Sequence, residues 1–223
     1  MTAYRTKRLR IPRPFIKLVI FCLGLLPLVA LIYDGVTANL GANPIETITH
    51  RTGEWALHFM LITLAVSPLR QWLGIKWLGG MRRMLGLYTF FYAGLHVLTY
   101  IVLEQFFDWP MIASELIKRP YLTVGMLAFL ALIPLALTSL NVAIRWLGKA
   151  RWRLLHRLVY FSATACVLHY LWLVKADYRE PVMYALVLVV LLMARVVKER
   201  KIAFFIHSHD ANRAAGRSVS RPR

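Results

Sequence analysis

The 223-residue chain is 59% hydrophobic, with a mean hydropathy of +0.56 and a formal net charge of +18. Its apolar residues fall in long blocks with Lys and Arg between them, a layout that orients a chain in a membrane and meets anionic lipid, and that excludes a soluble nucleic-acid-binding domain. Two cysteines, Cys22 and Cys166, each within an apolar block, exclude a disulfide framework, a Cys-x-x-Cys redox pair and a thiolate metal cluster.

The first block, 16–33, follows a basic segment. Val36-Thr37-Ala38 resembles a leader cleavage site, but the apolar run is too long for a leader and is expected to stay as a first transmembrane helix. Asn43-Pro44-Ile45-Glu46 has the form of an N-cap, a first-turn proline and a capping-box acid, and predicts a short helix before a second span at 54–69, which Ser67-Pro68 interrupts near its end. The third span is 84–103. Asp108-Trp109-Pro110 then opens a segment to residue 118 whose Phe106, Phe107, Trp109, Ile112 and Leu116 suit a helix lying in the headgroup region. Spans four to six are 121–140, 152–174 and 181–197, each near the ~20 residues that cross a bilayer.

Counted with the charges at the span ends, Lys plus Arg number 6 (to Lys17), 1 (Arg51), 4 (Arg70 to Arg83), 2 (Lys118, Arg119), 4 (Arg145 to Arg153), 2 (Lys175, Arg179) and 8 (Arg195 onward) in successive segments. That alternation puts both termini in the cytoplasm and gathers Asp34, Glu46, Glu104, Asp108, Glu115, Asp177 and Glu180 on the periplasmic side. The expected fold class is an all-α membrane protein, a six-helix bundle over 16–198. A cytoplasmic segment at 1–15 precedes it, and a basic cytoplasmic tail follows at 199–223.

Ionisable residues inside spans are costly and tend to be functional. Four histidines qualify: His58, His96, His156 and His169. No span holds a central carboxylate suited to proton pumping, and neutral imidazole is an ordinary axial ligand of haem iron. His96 and His169 lie 7 and 5 residues short of the outer ends of their spans, at matching depth, as a bis-histidine haem requires. His156 stands 13 residues before His169, near the cytoplasmic end, and shares a face with it only if the helix is bulged or kinked. Its depth-matched position in span three is Arg82 or Arg83. His58 has no depth-matched partner, and an interhelical hydrogen bond suits it better. Gly86, Gly94 and the small residues of 162–166 mark where a macrocycle fits, or where helices pack closely. Arg82, Arg83, Arg151 and Arg153 suit haem propionates or a flavin phosphate, or simply obey the positive-inside rule. The chain has no dinucleotide fingerprint, so nicotinamide electrons would arrive through another protein.

Six motifs carry a family resemblance: Leu-Gly-Ala-Asn-Pro-Ile (40–45), Arg-Arg-Met-Leu-Gly-Leu (82–87), Leu-His-Val-Leu-Thr-Tyr (95–100), Arg-Pro-Tyr-Leu-Thr-Val-Gly (119–125), Leu-His-Arg-Leu-Val-Tyr (155–160) and Leu-His-Tyr-Leu-Trp (168–172). With these the chain resembles the ferric-reductase-like transmembrane family, and within it the bacterial YedZ/MsrQ type. The resemblance implies an inner-membrane conduit fed by quinol, with a cytoplasmic flavin reductase as an alternative donor. Haem b and FMN would pass electrons outward to a periplasmic molybdenum-cofactor subunit that reduces methionine sulfoxide in oxidised proteins. The family's haem histidines map to His96, His156 and His169. Larger relatives with two bis-histidine haems carry another histidine where this chain has Arg82. A stand-alone ferric or cupric reductase, a b561-like cytochrome and a non-redox transporter or scaffold are the alternatives.

Overall fold

A computed structural model describes residues 13–197; the expectations for the extreme N-terminus and for the basic tail lie outside the described residues. Those residues form helices throughout: α1 (Arg13–Val36), α2 (Pro44–Trp72), α3 (Arg82–Thr99), α4 (Trp109–Lys118), α5 (Pro120–Leu137), α6 (Asn141–Leu155), α7 (Leu158–Leu173) and α8 (Arg179–Val197). A short 3₁₀ turn, Lys76–Gly80, joins α2 to α3, and a π-turn, Tyr100–Glu104, extends α3.

The two predicted caps form. Asn43 accepts a hydrogen bond from the Glu46 N–H and its side-chain amide donates to the Glu46 carboxylate at 3.0 Å, which closes the first turn of α2. Asp108 accepts from the Met111 N–H at 2.9 Å and starts α4. Trp109 and Ile117 of that helix are exposed and Ile112 is buried, the division an interfacial helix needs. Phe106 and Phe107, both with left-handed φ, turn the chain into it.

Four helices are long and apolar enough to cross a membrane: Pro14–Val36, Arg82–Glu104, Pro120–Leu137 and Arg179–Val197. The other two expected spans differ in instructive ways. The short helix expected before span two is the first third of α2 itself, a single 29-residue helix. It sits centrally, contributing Leu57, Met60, Leu61 and Leu64 to one core with α5, α7 and α8, and Ala56, Phe59 and Val66 to a second with α3. A helix enclosed by protein meets little lipid and tolerates Thr49, Thr52, His58 and Thr63, which lower its hydropathy. Span five is corrected: it is not one helix from 152. The chain turns at His156 and Arg157, so Trp152 belongs to α6, and α7 has 16 residues. Residues 141–151, expected as loop, are the body of α6, which breaks at Gly148 with φ of 75°.

The most extensive packing joins α2 to α3 and α5 to α7. Small residues set the second pair: Ala128, Ser162 and Ala163 are buried at the contact, and the Ser162 hydroxyl donates to the Ala128 carbonyl at 2.9 Å. The lipid-type helix α1, with Phe15, Leu18, Phe21 and Leu26 exposed, is fixed to α3 by tyrosines. Tyr92 accepts from the Leu28 N–H and donates to the Gly24 carbonyl, the two ends of one helical rung beside Pro27. Tyr88 donates to the Phe21 carbonyl at 2.6 Å. Replacing Tyr92 by Phe removes both bonds of a hydroxyl buried to 1% exposure, and is expected to cost about 1–3 kcal/mol. The check is the unfolding midpoint in detergent, with Phe161→Leu on the exposed face of α7 remaining near wild type.

Candidate functional site

The structure brings His96 of α3 and His169 of α7 together. Their ring centres stand 6.2 Å apart with planes at 77°. Each Nδ1 faces a helix carbonyl: His96 Nδ1 lies 2.8 Å from the Thr49 oxygen of α2, and His169 Nδ1 lies 2.7 Å from the Tyr121 oxygen of α5. A carbonyl oxygen only accepts, so both Nδ1 atoms carry the proton and donate. Each neutral imidazole therefore presents an unprotonated Nε2, the ligand-competent lone pair, and the carbonyl bond fixes the ring's direction.

Glycines make this approach possible. A Cβ on Gly53 would stand 3.0 Å from His96 Nδ1, and one on Gly125 would stand 2.7 Å from His169 Nδ1. Each glycine lies one helical turn beyond the accepting carbonyl, so the imidazole rests in a notch on its neighbour's backbone. The two halves repeat one construction: 47 residues separate Thr49 from His96, and 48 separate Tyr121 from His169.

Both imidazoles line a cavity of about 590 Å³. Its walls are apolar, from Leu57, Val97, Leu122, Met126 and Phe129, and Glu46, Glu54, Glu104 and Glu115 also line it. Two cavity-lining polar groups stand out. The Tyr100 hydroxyl, one turn past His96 in the π-turn, is buried without a hydrogen-bond partner. Arg119 pairs with Glu115 at 2.6 Å. Two imidazole nitrogens on one metal at about 2 Å each hold their ring centres roughly 6 Å apart, as here, and the volume is that of a cofactor pocket. Among the described residues no group of three or more His, Cys, Asp and Glu side chains is arranged to hold a bare metal ion. Two imidazoles with unprotonated Nε2 atoms inside apolar walls of this volume fit a flat macrocycle carrying its own metal.

The other expected site residues lie elsewhere. His156 closes α6, its Nε2 3.1 Å from the Thr138 hydroxyl and its ring stacked on Trp152 with centres 4.0 Å apart. Arg82 reaches Ser67, Arg83 donates to the Asn141 side chain at 2.7 Å, and Arg151 is exposed on α6. None of these four lines the cavity. His58 takes the interhelical role, its Nε2 2.9 Å from the Tyr184 hydroxyl of α8. Gly86 and Gly94 do not line the cavity; Gly53 and Gly125 do. Those two went unread in the sequence, although a signal exists: Gly53 and Gly125 are offset by 72 residues, and His96 and His169 by 73.

Gly125→Ala is expected to destabilise the protein by about 1–3 kcal/mol, because the new methyl meets the His169 ring. Gly94→Ala, with nothing within 4 Å, should be neutral or slightly stabilising. Unfolding midpoints of the two variants in one detergent make the comparison.

A family model described as "Ferric reductase like transmembrane component" matches residues 52–167. A protein of Azospira oryzae is 50% identical over 188 residues, covering 84% of this chain and 81% of that protein. Relatives from Herminiimonas arsenicoxydans and Rhodospirillum rubrum are 46% and 49% identical, each covering 81% of this chain and 84% and 87% of their own lengths. All three are named protein-methionine-sulfoxide reductase heme-binding subunit MsrQ. The resemblance carried by the six motifs is borne out, and the chain belongs to the MsrQ family within the ferric-reductase-like transmembrane proteins.

Proposed function

We propose that the chain is the haem-binding membrane subunit of a methionine sulfoxide reductase system, and that His96 and His169 are the axial ligands of a haem b. The observation that carries this reading is the pair of imidazoles 6.2 Å apart in one cavity, each with Nδ1 donating to a helix carbonyl and Nε2 left as a lone pair. When bound, the haem would supply a reversible one-electron carrier, held by His96 and His169. The chain's residues do the rest. Thr49 and Tyr121 hold the imidazole tautomers, Gly53 and Gly125 give the rings room, and the apolar walls exclude water. Tyr100 and Arg119 offer donors to the macrocycle's carboxylates.

In this reading the helices α1, α2, α3, α5, α7 and α8 are the six spans, with both termini in the cytoplasm, in the inner membrane of a bacterium. The histidine cavity then lies in the periplasmic half, among the carboxylates. Electrons come from quinol, or from a cytoplasmic flavin reductase, and leave to a periplasmic molybdenum-cofactor reductase. His156, with Arg82, Arg83 and Arg151, marks a second position at the cytoplasmic end, for another haem or for FMN.

Purified protein should show a reduced-minus-oxidised spectrum of low-spin b haem. His96→Ala and His169→Ala should each abolish the signal of this site, and His156→Ala should leave it. A folded, colourless wild-type preparation would end the proposal, as would a spectrum unchanged in both His96→Ala and His169→Ala.

A further inference from the structure

At the end of the bundle away from the histidine cavity, Arg195 of α8 reaches between two other helices. Its Nη2 donates to the Leu64 carbonyl of α2 at 2.7 Å, and its Nη1 donates to the Tyr160 hydroxyl of α7 at 2.6 Å. The sequence explains why that carbonyl is available. The residue four positions on is Pro68, which has no N–H, so the helix leaves the Leu64 oxygen unpaired and the arginine takes the vacant bond. Arg195 Nε is buried with no hydrogen-bond partner.

Among the described residues its partners are neutral: the Leu64 carbonyl, the Tyr160 hydroxyl and the Tyr160 ring, 5.0 Å from the guanidinium carbon. Arg82 meets the same turn of α2, with a 3.4 Å approach to the Ser67 hydroxyl three residues after Leu64. Among the described residues every carboxylate belongs to the other end of the bundle, from Asp34 at the close of α1 to Glu180 at the opening of α8. A guanidinium does not give up its proton. Neutral acceptors satisfy its geometry but not its charge, and clustered like charges in a low-dielectric setting call for a counter-ion.

We propose that Arg195 and Arg82 form a binding site for a phosphate group, supplied by an anionic lipid headgroup or by a soluble phosphate monoester. Guanidinium forks match the oxygens of a phosphate, and Arg195 keeps three of its five N–H donors beyond the two bonds it makes. The site does not depend on the haem reading. It shares Arg82 with the second cofactor position, but Arg195 belongs to neither that position nor the histidine cavity.

The test is a set of unfolding midpoints in a neutral maltoside detergent. Inorganic phosphate is titrated against chloride at equal ionic strength, and dioctanoyl phosphatidylglycerol against dioctanoyl phosphatidylcholine. Wild type is expected to show a saturable rise with at least one phosphate probe beyond its control. Response to phosphatidylglycerol alone assigns the lipid headgroup; response to inorganic phosphate assigns the soluble monoester. Arg195→Gln should weaken half-saturation about fivefold, the loss of one guanidinium. Arg195→Lys should fall between, and Arg145→Gln on the exposed face of α6 should match wild type. The proposal is overturned if wild type responds to neither probe beyond its control, a result that needs no variant to fold, or if Arg195→Gln and wild type saturate alike. A haem spectrum retained in Arg195→Gln keeps this outcome separate from that of the histidine site.

Discussion

The arrangement of the molecule turns on two hydrogen bonds from imidazole Nδ1 to helix carbonyls, one at Thr49 and one at Tyr121. An unanchored imidazole rotates about two bonds and exchanges between two tautomers. The carbonyl bond ends both freedoms, since only Nδ1–H can donate to it and only one ring orientation reaches it. Much of the packing follows from that need. The helix pairs α2 with α3 and α5 with α7 must come close enough for a ring on one to touch the backbone of the other, which requires glycine at 53 and 125 and rewards the small residues Ala128, Ser162 and Ala163.

Much of this is legible in the sequence. Apolar blocks mark α1, α3, α5 and α8, because a helix apolar enough to cross a membrane is read from composition alone. Asn43 and Asp108 announce their caps, because capping is local chemistry. His96 and His169 are picked out by equal depth in separate spans. What escapes is what depends on neighbours. The notch glycines look like ordinary helix packing until the ring that fills them is known. The turn at His156 and Arg157 contains no proline or glycine, so an apolar stretch running on past it reads as one helix. Central α2 carries polar residues that only its enclosure by other helices explains.

Prolines in the described helices do more than bend them. Pro27 sits beside the rung served by Tyr92, Pro68 frees the Leu64 carbonyl for Arg195, and the Pro134 carbonyl accepts from Thr138, whose hydroxyl also meets His156. A bond omitted by one helix becomes a tie to its neighbour at Arg195. Tertiary ties of this kind cost little in a membrane interior, where an unpaired backbone group has no water to turn to.

The twofold use of one construction has a consequence for how such a site arises. A carbonyl and a glycine on the first helix and a histidine on the second, about 50 residues in all, hold everything needed for half of it. Two copies of that unit hold both imidazoles by one solution. The offsets between the halves, 72 residues for the glycines and 73 for the histidines, show how nearly the two units repeat.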